Sequence, residues 1–228
     1  DSFNIPPDSR TVTGLDLGPV GPERDRHRWG CRRRRGRCKG GRRRDKLRID
    51  DRDCRQIDVD VHQPGQHPAI IAAGGDHSLA IGSISAAAKH CRDTGRKLRV
   101  LWFDAHADFN THVLTPSGNV HGMPVACLCG HGPAELVSIG GQVPAINPAQ
   151  LRQIGIRSVD AGEKRFVHEV GIEVFDMRYI DEMGMRYTLE QALHGVDDDT
   201  HVHVSLDVDF LDPDIAPGVG TTVAGGPT

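Results

Sequence analysis

The sequence predicts an α/β fold built on a mostly parallel sheet, and three observations carry the prediction. Short apolar runs that read as buried strands recur at 69–73, 98–103, 153–157, 172–176 and 201–206. Stretches that read as helices, at 78–92, 122–130, 161–170 and 188–195, fall between them. Strands alternating with helices imply crossover connections, and such connections cover both faces of a parallel sheet. The third observation is the position of the acidic and imidazole groups. They follow the strands directly, at the carboxyl ends where open α/β sheets place their ligand sites.

The first run, Pro68 to Ala73, ends in Gly74-Gly75-Asp76-His77-Ser78. The glycines allow a tight exit from the strand, and Ser78 or Asp76 can cap the helix that follows. The second run, Leu98 to Phe103, leads into Asp104-Ala105-His106-Ala107-Asp108. Alternation along an extended segment points Asp104, His106 and Asp108 to one side, with small alanines between. The runs at 153–157 and 172–176 bracket the helix at 161–170, and Gln142 to Pro148 reads as a loop within one domain. The last run, His201 to Leu206, leads into Asp207-Val208-Asp209, whose two carboxylates share a side for the same reason.

His77, Asp104, His106, Asp108, Asp207 and Asp209 therefore meet at one sheet edge. Like charges beside apolar runs are costly unless a cation compensates them. Two imidazoles and four carboxylates without a thiolate make a hard, oxygen-rich donor set that suits Mn2+, and zinc also fits it. Four carboxylates exceed the needs of one ion, so two bridged ions are the natural reading.

In order, Gly-Gly-Asp-His-Ser, Asp-Ala-His-Ala-Asp, Ser-Gly-Asn-Val-His-Gly (117–122) and Ser-Leu-Asp-Val-Asp (205–209) resemble the ureohydrolase family, and within it the arginases. The resemblance runs from about Ala69 to the end. It implies a three-layer α/β/α, arginase/deacetylase-like fold. It also implies two Mn2+ per chain and hydrolysis of L-arginine to L-ornithine and urea by a metal-bridging hydroxide. Asp104 and Asp207 would bridge the ions, His77 and Asp108 would complete one, and His106 and Asp209 the other. Asp108 counts as catalytic with His121, whose family counterpart carries protons between solvent and the site. Asn110, Ser117 and Asn119 match positions that bind the substrate carboxylate. Asp160 matches the α-amino contact, Glu163 stands behind it, and Thr221 matches a threonine beside the guanidinium. The same resemblance implies a homo-oligomer, trimer or hexamer. It also implies a further strand and helices past Thr228, with an acidic residue that grips the guanidinium, so the domain at 61–228 is expected to be truncated at the carboxyl end. Agmatinase or guanidinobutyrase is the alternative within the family.

Composition bounds the remaining readings. No apolar run approaches the about 18 residues of a membrane span. The six cysteines (31, 38, 54, 91, 127 and 129) show no paired framework and read as reduced thiols of a cytoplasmic protein. Residues 1–60 are atypical. Between Arg24 and Arg55 stand 14 Arg and 2 Lys against 5 Asp, in a chain whose net charge is −3. Three readings compete: sequence from a shifted frame, a disordered basic tail, and a nucleic-acid-binding arm in a non-catalytic protein. The stretch lacks the apolar periodicity of a first strand and helices, which favours the first. Nucleic acid is not the expected partner.

Overall fold

The computed structural model describes residues 71–228. The Arg-rich segment and the domain boundary at 60/61 lie outside them. Four strands form one wholly parallel sheet in the order β3-β2-β1-β4: β1 (Lys97–Phe103), β2 (Leu151–Ile156), β3 (Glu173–Asp176) and β4 (Thr200–Leu206). Six helices connect or flank them: α1 (Ala80–Thr94), α2 (Pro124–Leu128), α3 (Ala134–Val137), α4 (Ala161–Val170), α5 (Met177–Met183) and α6 (Met185–Ala192). The four later strands fall where the sequence places them.

The three layers follow from strand alternation. Leu98, Val100 and Trp102 of β1 pack with Ile84 and Ala88 of α1, Val125 of α2 and Val167 of α4. Leu101, one residue out of phase, packs on the opposite face with Met177 and Ile180 of α5 and Ala192 of α6. α1 buries Ala80, Ile81, Ile84, Ala88 and Cys91, a stripe at helical spacing. Asp160 caps α4 by accepting from the amides of Gly162 and Glu163, and Gly171, at φ 79°, ends it.

Gly155 interrupts β2. Its φ is 91°, the ladder register shifts there, and the extra residue returns Ile156 to the α1 face. A Cβ on Gly155 would stand 2.3 Å from the Phe210 ring. That close approach seats the segment after β4 against the end of β2.

Three sequence expectations need correcting. Residues 71–73, the described part of the strand expected at 69–73, form no ladder, because an apolar run becomes a strand only where a partner edge meets it. The last helix spans Met185–Ala192 rather than 188–195, since Gly184 starts it three residues earlier. Neither the single turn α3 nor the longer α5 was expected, and α5 is the more consequential. It begins directly after β3, where Asp176 ends the strand and accepts from the amide of Tyr179 as the helix cap. On β4, Val204 and Leu206 remain 57% and 55% exposed.

Candidate metal centre

The sheet order decides the site. β4 pairs with β1 residue for residue up to Phe103 and Leu206, so Asp104 and Asp207 leave adjacent strand ends together. The Asp207 amide continues the ladder by donating to the Phe103 carbonyl at 2.9 Å. His77 arrives on a 3-10 turn, His77–Leu79, capped by Asp76 as expected.

Two clusters of donor atoms result. His77 Nδ1 lies 2.7 Å from Asp104 Oδ2, 3.6 Å from Asp207 Oδ2 and 3.7 Å from Asp108 Oδ2. His106 Nδ1 lies 3.4 Å from Asp104 Oδ1 and 3.1 Å from Asp209 Oδ2. Asp104 therefore faces one cluster with each carboxylate oxygen. His77, Asp104 and Asp207 form one group able to hold an ion, and Asp104, His106 and Asp209 form another. Asp207 faces only the first, because its Oδ1 accepts from the Asp209 amide.

The electrostatics call for positive charge. Burial, reinforced by Asp104, pushes the Asp108 carboxyl well above the usual range, and burial also raises Asp207. Burial works against charge on His106, but Asp104 and Asp209 outweigh it and hold its pKa up at about 10. Asp209, despite burial, is held down at about 2 by His106, Thr221 and the Ala105 amide. A buried cluster with four carboxylates that keeps an imidazole protonated fits divalent cations, and its oxygen-rich composition fits Mn2+.

The other expected site residues fall into two groups. Asn110 donates through Nδ2 to Asp160 Oδ2 at 2.9 Å, and its buried Oδ1 has no partner. Glu163 is buried and accepts from the Phe109 amide, so it supports the chain next to Asp108. Thr221 donates to Asp209 Oδ2 at 2.7 Å. Ser117 and Asn119 are exposed in a turn, where Ser117 Oγ accepts from the Asn119 amide. His121 is half-buried on the 3-10 turn Val120–Gly122, which packs against the His77 turn and brings His121 into the field of Asp76.

Several supporting residues escaped the sequence reading. Trp102 stacks on His77 and donates to Asp104. Ser205 Oγ lies 2.8 Å from His77 Nε2. Both stand two residues before a candidate ligand, on the ligand's side of the strand, and that period is the signal that could have found them. Arg157 donates to the carbonyls of Gly155, Asp209, Phe210, Leu211 and Val223, tying the segments that carry Asp209 and Thr221 to the end of β2. No local pattern announces that role.

A sequence model of the arginase family matches residues 43–228. The chain belongs to the arginase family. It is 47% identical to an arginase of Bacillus caldovelox over 169 residues, covering 74% of this chain and 54% of that protein. The crystal structure of an arginase from Bacillus subtilis superposes with a TM-score of 0.63 at 46% identity, covering 68% of this chain and 52% of that one. An Entamoeba histolytica arginase solved with L-ornithine gives 0.63 at 38% identity, covering 68% and 52%. The chain thus spans about half the length of the relatives it matches.

The cysteines and helices bear on other expectations. Cys91, Cys127 and Cys129 are buried free thiols, and burial pushes Cys127 up to about 11 and Cys129 to about 12. Such thiols are inert core residues. Among the described residues, no helix is long and apolar enough to cross a membrane.

Proposed function

We propose that this chain carries the metal centre of a manganese-dependent hydrolase that converts L-arginine to L-ornithine and urea. The observation that carries the reading is the division of Asp104 between two histidine–carboxylate clusters. The relatives' name, arginase, and the ornithine in the Entamoeba structure support the substrate. A guanidinium carbon is a poor electrophile, and two divalent ions would supply a shared water acidified toward neutrality.

The residues of this chain have distinct tasks in that reading. His77, Asp108 and Asp207 would hold one ion, His106 and Asp209 the other, and Asp104 would serve both. On the family pattern Asp207 would also serve the second ion, although its Oδ1 here accepts from the Asp209 amide. Thr221 fixes the Asp209 carboxylate. Asn110, Ser117 and Asn119 offer polar contacts to the substrate carboxylate, and Asp160, with Glu163 behind it, a contact to the α-amino group. His121 hands a proton to the leaving amine. The family pattern further supports a homo-oligomer, and the reduced thiols support the cytoplasm.

The test is metal analysis joined to a urea assay. The protein should bind two Mn2+, and Asp104→Asn should lose both. Urea should come from L-arginine in preference to agmatine or guanidinobutyrate. Full metal occupancy in Asp104→Asn, or a preference for agmatine, would refute the corresponding part.

A further inference from the structure

Gln153 is fully buried in β2, at 0% exposure. Its Nε2 donates to the Ala107 carbonyl, and its Oε1 has no partner. A buried orphan acceptor costs free energy, and an apolar side chain of similar shape would avoid that cost. The donation to Ala107 is what Gln153 provides in return.

Ala107 is where the backbone needs a donor. Up to His106 the segment after β1 continues the pairing: the Asp104 amide donates to Ile154, the Ala105 carbonyl accepts from Arg157 and Ser158, and His106 bridges Ser158. The chain then turns away. Asp108 takes φ 49°, the left-handed region, which is uncommon for a residue with a side chain although aspartate enters it more readily than most. Its own carbonyl accepts from the Val125 amide at 3.0 Å, and the next amide, Phe109, donates to Glu163 at 2.7 Å. The carbonyl just before the left-handed residue rests on Gln153. Ala107 lies between His106 and Asp108, one from each cluster.

We propose that Gln153 is a positioning residue for the metal centre, clamping the Ala107 carbonyl so that His106 and Asp108 present their donor atoms to the two ions. The inference rests on the metal reading above. The clamp acts through the backbone and touches neither ion nor substrate. Contacts that orient metal ligands are typically worth roughly 10–100-fold in metal affinity.

The experiment is Mn2+ titration of the EDTA-stripped chain, followed by the electron paramagnetic resonance signal of free Mn2+, beside metal-free thermal unfolding. Gln153→Met keeps the volume and removes the donor. It should bind Mn2+ roughly 10–100-fold more weakly while its metal-free form still unfolds cooperatively. Gln153→Leu, which likewise cannot donate, should show the same weakening and takes the place of the Met variant if that fails to fold. Unchanged affinity in a folded variant overturns the proposal, including where metal-free stability alone falls, the mark of a purely structural contact. If the parent binds no Mn2+, the metal reading falls and this inference with it. Equal binding by parent and variant overturns this inference alone.

Discussion

Trp102 donates its indole N–H to Asp104 Oδ2 at 3.1 Å, while its ring lies flat on His77 with 3.7 Å between centroids. One core side chain thus restrains two candidate ligands, and it ties the packing of β1 to the geometry of the centre.

Trp102→Phe should separate these two contributions. The phenyl ring keeps an aromatic face for His77 but loses the donor to Asp104. Loss of one hydrogen bond to a charged group predicts about 1.5–3 kcal/mol, or roughly ten- to a hundredfold weaker Mn2+ binding. Trp102→Ala should in addition cost about 3–5 kcal/mol of stability, because it empties a fully buried site. Calorimetric Mn2+ titration and denaturant unfolding measure the two. Equal Mn2+ affinity in Trp102→Phe would show that the indole N–H has no role.

Gly155→Ala should be destabilising out of proportion to one methyl group. The left-handed backbone costs about 1 kcal/mol for an alanine, and the new Cβ meets the Phe210 ring. Relief requires Phe210 to move, at a further cost of roughly 1–3 kcal/mol. Phe210 follows Asp209 directly, so the His106–Asp209 cluster should loosen with it. A urea unfolding midpoint within error of the parent would contradict the argument.

The centre was far more legible in the sequence than its supports. Asp104, His106, Asp207 and Asp209 lie just past strands whose apolar runs declare themselves, and a period of two fixes their side. Trp102 stands two residues before Asp104 and so shares its side, but Gln153 and Arg157 matter through contacts that sequence spacing does not encode. Gln153 touches Ala107, 46 positions away, and Arg157 gathers carbonyls from as far as Val223. The run ending at Ala73 misled for a related reason. Its composition suits a strand, but strand formation depends on which edge lies beside it. α5 was hidden because Asp176 serves the strand and the helix at once.

His121→Asn should leave the ions in place and slow turnover. His121 sits on the turn that packs against His77, outside both donor clusters. As the proposed proton carrier it should be worth roughly 10²–10⁴-fold in kcat. Metal content and steady-state urea release, taken together, decide the matter. Lost metal would make it a structural residue, and unchanged kcat would remove it from the reaction.

Glu163→Gln should make the metal-free protein more stable at alkaline pH but not at acid pH. Burial raises the Glu163 carboxyl to about 7 from the ordinary 4.5. Between those values the folded state holds a proton that the unfolded chain has released, so stability falls as pH rises through this window. Below about 4.5 both states are protonated and the penalty is absent; above about 7 it is fully present. The shift corresponds to about 3 kcal/mol at roughly 1.4 kcal/mol per unit. The glutamine removes the buried charge and still accepts from the Phe109 amide, though a neutral acceptor gives up about 1 kcal/mol of that bond. A net gain on the order of 2 kcal/mol should therefore appear at pH 8 and vanish at pH 4. Urea unfolding with EDTA at the two pH values measures it. A gain of the same size at both would show that Glu163 is already neutral across the range, and a loss at pH 8 would show that its charge is stabilised where it lies.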